Sequence, residues 1–180
     1  ALWRFVYQGY NGAVGTSGRA AAITNLLGVS TMQLVDTLNN SATNTRGNNS
    51  SPVLTVEPVP FFCRPNYNCF NPGAVDLYDV SPSQPAGDSL VFALTPAQNG
   101  SGNPACPPPG GFMTYTGTHC TGTPISGDKP LNVTSCASTS FNFNTTTGQL
   151  CFDPSMDQRS CVVYNVREYR DDTVSITPLI

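Results

Sequence analysis

Charge is what this chain has least of. Of its 180 residues, 11% are Asp, Glu, Lys or Arg, where an ordinary globular chain carries about 25%. There is one lysine (Lys129), one histidine (His119) and one tryptophan (Trp3). A net charge of −3 supplies neither a basic patch for nucleic acid nor a polybasic segment for a membrane surface. No apolar run approaches the roughly 20 residues that span a bilayer. No Cys-x-x-Cys occurs and His119 has no histidine partner, so zinc-site spacing is missing. No Gly-x-Ser-x-Gly elbow marks a hydrolase nucleophile, and no regular acidic loop marks a calcium site. The expectation is a protein with no cofactor, no nucleic-acid partner and no membrane insertion.

So few charges leave a solubility problem, because soluble surfaces usually rely on mixed Lys, Arg, Glu and Asp. Two remedies fit the composition: glycans that hydrate the surface, or burial of that surface in an assembly.

Cysteine and Asn-x-Ser/Thr are what the chain has instead. Seven cysteines are present: Cys63, Cys69, Cys106, Cys120, Cys136, Cys151 and Cys161. The last five recur every 10 to 16 positions. Sequons begin at Asn39, Asn48, Asn49, Asn99, Asn132 and Asn144, with Asn48 and Asn49 overlapping. Together these features point to an oxidising compartment and a secreted, extracellular or cell-surface protein. The chain opens at Ala1 without Met or a charged-then-apolar leader, so any signal peptide is expected to have been removed. Seven is odd. One thiol stays unpaired, most simply as a small buried hydrophobe, or pairs with another molecule. Cys63 and Cys69 bracket a short run of turn formers, and local closure predicts a disulfide between them.

Periodicity predicts strands almost throughout. Residues 2–10 are aromatic and β-prone. Residues 19–27 suit a short helix, with Ala20, Ala21 and Ala22 favouring it and Gly28 placed as a C-cap. Residues 29–38 satisfy both a capping box and a strand alternation, and β surroundings favour the strand. Residues 39–52 form a polar, sequon-rich linker. Strands are then predicted over 53–56, 75–80, 89–94, 112–116, 131–133, 140–143, 149–152, 161–169 and 173–177. Pro58 and Pro60 put the strand before them at an edge, and Pro107, Pro108 and Pro109 favour a rigid polyproline segment. The spacing predicts an all-β fold, a disulfide-bonded antiparallel β-sandwich of immunoglobulin-like or jelly-roll-like type. Residues 1–52 read as an arm and linker, and 53–180 as the sandwich domain.

Candidates for chemistry are weak. His119 sits in a polar stretch and reads as an exposed turn residue. Glu57, Asp76, Asp79, Asp153, Asp157 and Glu168 are the candidate acids of a hydrolase, yet nothing picks out the pair such chemistry needs. Asp153 and Asp157 read as hairpin-loop residues. The charges at 167–172 read as a solvated hairpin end. The chain is therefore expected not to be an enzyme. Both ends are apolar and β-prone, with Leu2, Trp3, Phe5 and Tyr7 at one and Val174, Ile176 and Ile180 at the other. A terminal strand added to a neighbour's sheet edge makes β-domains polymerise, which predicts copies of the same chain as the partner. A monomeric carbohydrate-binding or adhesive module is the alternative, with a secreted hydrolase behind it.

The run Tyr115-Thr116-Gly117-Thr118-His119-Cys120-Thr121-Gly122-Thr123-Pro124, followed by short strands and cysteines, resembles short cysteine-bearing repeats in extracellular glycoproteins of protists and algae. In composition the whole chain resembles subunits of glycan-coated extracellular fibrils such as mastigoneme-type filaments. That resemblance implies a non-enzymatic β-domain that polymerises and carries covalently attached glycans at Asn39, Asn48 or Asn49, Asn99, Asn132 and Asn144. It also implies hydroxylation and glycosylation of Pro107, Pro108 and Pro109.

Overall fold

The computed structural model describes residues 2–8, 23–27, 32–39, 50–57, 61–76, 88–99, 111–170 and 174–178. Outside them lie Asn48, Asn49, Asp79, Cys106, Pro107, Pro108, Pro109 and Ile180, and with them the polyproline expectation. Within β-strands, the side chains of Leu2, Asn39, Asn99, Val174 and Ile176 also fall outside the description.

The described residues are all-β, without helix. The strands in chain order are β1 (Leu2–Gln8), β2 (Met32–Asn39), β3 (Val53–Leu54), β4 (Asn68–Phe70) and β5 (Ala74–Val75). They continue as β6 (Ser89–Leu94), β7 (Gln98–Asn99), β8 (Thr118–Cys120) and β9 (Thr123–Pro124). The last four are β10 (Phe141–Phe143), β11 (Leu150–Phe152), β12 (Tyr164–Arg170) and β13 (Val174–Pro178). They make three three-stranded sheets, ordered β1-β2-β7, β10-β11-β4 and β13-β12-β6, with two small pairs, β3-β5 and β8-β9. Every pairing is antiparallel.

Alternation places β6 as expected: Phe92 is buried and Leu90 and Leu94 half-buried, while Ser89, Val91 and Ala93 face out. The β10–β11 hairpin follows from its turn chemistry. Asn144 Oδ1 accepts from the backbone N–H groups of Thr146 and Thr147 at 2.9 and 3.0 Å, and Gly148 closes the turn at φ +71°. Only glycine takes that conformation without strain, and a Cβ there would lie 2.6 Å from the Phe92 ring.

Two apolar clusters form the interior. One gathers Cys120, Leu131, Val133, Leu150 and Phe152, with Val162 and Tyr164 packed against it. The other gathers Leu26, Ala97 and Met113, with Cys161 and Val163 against it. Residues 161–164 therefore serve both, because successive side chains of an extended segment point to opposite faces.

Four expectations are corrected. Residues 23–27 are not helical. Thr24 N–H donates to Arg159 O and Leu27 N–H to Thr114 O, each at 2.8 Å, and Leu26 bridges Tyr115. Those donors go to carbonyls far along the chain rather than to carbonyls one turn back, and this outweighs local helix preference over 23–27; the rest of the expected helix, 19–22, lies outside the described residues. Asn25 holds the segment in place: its Nδ2 donates to Pro130 O and Cys161 O, and its Oδ1 accepts from Cys161 N–H, all at 2.9 Å.

Cys69 pairs with Cys151, not with Cys63. Strand register sets Cys69 directly opposite Cys151 on β4 and β11, with Cα atoms 4.1 Å apart, close to the spacing of an antiparallel non-hydrogen-bonded pair. The second bridge, Cys120–Cys136, closes an interval of 16 residues.

His119 is not exposed. At 3% exposure, it lies on β8 with Nδ1 2.6 Å from Leu131 O and its ring edge-on to Phe141. What reads as a polar turn is a short hairpin with a register shift between Thr118 and Cys120, and His119 and Cys120 are both buried in it. Glu168 is likewise buried, because β12 lies between β6 and β13 rather than at a solvated hairpin tip.

Candidate functional site

The hairpin of β1 and β2 is organised against the usual polarity of a sheet. Trp3, Phe5 and Tyr7 occupy alternate positions of β1 and therefore share a face. They are 56%, 53% and 71% exposed. Leu34, directly opposite Tyr7 in the register, is exposed as well. On the other face, Gln33 is only 4% exposed and Val6 and Val35 are half-buried. The hairpin thus directs a polar amide inward and three aromatic rings outward. In a half-buried strand, one residue of slip would exchange the faces. Seven register pairs between β1 and β2 and the β2–β7 pairing hold this one. β1 pairs only with β2 among the described residues, so its other edge is a sheet edge.

A second apolar surface lies elsewhere on the chain. A groove of about 780 Å³ has Leu131, Leu150, Phe152, Val162 and Tyr164 among its lining residues, within the size range that holds compact ligands or inserted side chains. Leu54, Val56, Phe61 and Met156 also line it and are exposed, Phe61 at 85%. Its charged side chains are Arg64, Asp157 and Arg159, with Arg64 and Asp157 3.7 Å apart, the first half exposed and the second almost fully so. Solvent screening leaves such a pair little energetic weight. The Tyr164 hydroxyl is out of contact with solvent and has no hydrogen-bond partner, and burial pushes its phenol up to about 12.

Sequence reasoning found the aromatic strand and missed the groove. Phe61 and Phe62 stood as a clue: in a short pleated or turning segment adjacent side chains point apart, so two neighbouring rings seldom both reach one core. Phe62 packs edge-on against Phe152 at 5.0 Å, and Phe61 faces out.

The candidate acids are dispersed in role. Glu57 and Asp157 are exposed. Asp76 is buried, and its Oδ2 accepts from Asp88 N–H. Asp153 Oδ2 accepts from the Thr134 hydroxyl at 2.8 Å. Among the described residues, no cluster of three or more His, Cys, Asp or Glu has a metal-holding arrangement. No helix is long and apolar enough to cross a membrane among the described residues.

Of the sequons with described side chains, Asn144 is exposed. Asn132 is half-buried with both ends of its amide engaged: Nδ2 donates to Thr118 O and Oδ1 accepts from the Ser155 hydroxyl. Cys63 is exposed and unpaired among the described residues. An unpaired buried hydrophobe therefore does not describe this thiol.

Set beside known proteins, the chain stands apart: no protein-family model matches it, and no curated protein or solved structure shows significant similarity to it.

Proposed function

We propose that this chain is a secreted structural glycoprotein that assembles with copies of itself into an extracellular filament or coat, with β1 as the strand that meets the neighbour. The outward stripe of Trp3, Phe5 and Tyr7 carries the reading. Large aromatics exposed in a row on an edge strand are a liability that monomeric proteins avoid. Low charge supports the same reading, since an assembled surface does not need to be solubilised alone. Two disulfides among the described residues suit an oxidising environment, and the exposed Asn144 turn offers an accessible attachment point for glycan.

The test compares wild type with a Trp3→Ser, Phe5→Ser double variant by size-exclusion chromatography with light scattering and by electron microscopy. Both side chains are exposed, so the thermal midpoint should stay close to wild type while assembly is lost. Wild type that elutes as a clean monomer at high concentration sinks the proposal.

A second reading rests on the same stripe. Aromatic rings spaced along one strand face also stack on sugar rings, and a monomeric carbohydrate-binding module would use them so. Retention of monomeric wild type on an insoluble polysaccharide, lost in the double variant, would favour it.

A further inference from the structure

We infer that the groove lined by Leu54, Val56, Phe61 and Met156 receives the aromatic face of β1 from a second copy of the chain, in a head-to-tail contact. The inference rests on the proposal that β1 drives assembly, and adds where on the neighbour it goes.

Within one chain the stripe does not fill the groove: Trp3, Phe5 and Tyr7 are exposed and none of them lines it. β1 is held along its whole length by β2, β2 is held by β7, and the stripe points outward. A second copy has no such restraint. One surface is a raised row of rings on a sheet edge. The other is a cavity of about 780 Å³ with an apolar floor and exposed apolar residues beside it. Both are apolar, and one is exposed where the other is concave.

The areas are sufficient. A covered aromatic side chain buries about 150–250 Å². At the observed exposures, Trp3, Phe5 and Tyr7 therefore offer roughly 300–450 Å². The four exposed groove residues offer a comparable area. Together that is on the order of 700 Å² of apolar surface. A specific interface of standard size buries about 1,200–2,000 Å² in total, of which about 57% is apolar. The two faces thus reach the lower end of what a stable contact needs before any backbone pairing at the β1 edge is added.

The contact joins different surfaces, so each copy keeps one of each free. Such a heterologous contact propagates into a chain of subunits unless its rotation closes into a ring. A face-to-face pairing of two β1 stripes would instead stop at a dimer and leave both grooves open.

Two variants separate these cases, both altering exposed side chains and both checked for an unchanged thermal midpoint. The groove variant carries Phe61→Asp and Met156→Asp, and the strand variant carries Trp3→Asp and Phe5→Asp. Each alone should be monomeric by light scattering where wild type is polymeric. Mixed one to one, they should form a dimer and nothing larger, because the intact strand of the groove variant enters the intact groove of the strand variant. A groove variant that polymerises like wild type, or a mixture that stays monomeric, overturns the inference and leaves assembly through β1 standing. Monomeric wild type removes both. If oleate binds the wild-type polymer saturably and the groove variant does not take it up, the groove holds a small apolar ligand rather than a strand, and the inference fails.

Discussion

Residues 111–170 and the β1–β2 hairpin are written in the same alternating pattern and resolve it in opposite senses. In the first, Leu131, Val133, Leu150 and Phe152 turn inward to one core, and non-local bonds keep them there. Cys69–Cys151 ties β4 to β11 and Cys120–Cys136 ties β8 to the segment at 136, Asn25 links residues 130 and 161, and His119 is hydrogen-bonded to Leu131. In the hairpin Trp3, Phe5, Tyr7 and Leu34 face out and Gln33 faces in. Alternation thus sets the period of a strand but not which of its faces is covered. The covered face is the one another part of the structure has reason to bury. For residues 111–170 that part lies in the same chain. For the hairpin's aromatic face, we propose, it lies in the next one.

Removing covalent ties from the first region should have the largest effect. The Cys69–Cys151 bridge spans 82 residues and Cys120–Cys136 spans 16. Loop-closure entropy assigns them about 4.5 and about 3 kcal/mol respectively. Paired Cys→Ser variants, followed by urea unfolding, should lose stability in that order. Equal losses would show that closure of the long loop is not what distinguishes this region from the hairpin.

Asn25→Ala comes next. It leaves Pro130 O, Cys161 O and Cys161 N–H without their side-chain partner in a buried site. An unmade buried hydrogen bond costs about 1–3 kcal/mol, and the three share one side chain, so a loss of about 2–3 kcal/mol is expected in the same assay. A loss below about 0.5 kcal/mol, the usual range for surface changes, would mean that residues 23–27 are no better anchored than an exposed loop.

Tyr164→Phe should have the smallest effect and the opposite sign. The hydroxyl is buried without a partner, so removing it should leave stability unchanged or raise it by about 1 kcal/mol or less. The phenol also predicts an alkaline limit. Burial pushes it from the ordinary tyrosine value of 10.0 up to about 12 in the folded protein. The neutral form is therefore favoured in the folded state, its contribution is complete below pH 10, and it fades as the pH climbs towards 12. Wild type should show a phenol that ionises late in an ultraviolet titration, absent from Tyr164→Phe, and the variant should lose less stability over that window. An unshifted titration would mean that the groove wall at Tyr164 is as open as the hairpin's outer face.

Much of the architecture was legible from local pattern. Strands over 89–94, around 141–143 and 150–152, and from 164 onward follow from alternation. The turn between β10 and β11 follows from Asn144 and Gly148, whose chemistry acts within five residues. The all-β class and the aromatic strand at 2–8 were equally open to reading, as was the need for at least one cysteine to remain outside the chain's own bridges. These are properties of period, parity and short-range sterics.

What only the tertiary structure decided are choices of partner. Cys69 takes Cys151 rather than its near neighbour Cys63 because β4 and β11 meet in register. Residues 23–27 give up a helix because their backbone donors find Arg159 and Thr114. His119 turns inward because β8 and the segment at Leu131 converge. The outward aromatic face of β1 and the groove beside Phe61 belong to the same group. A sequence specifies each residue's preferences over a few neighbours, while burial and pairing depend on residues brought together from up to 136 positions away.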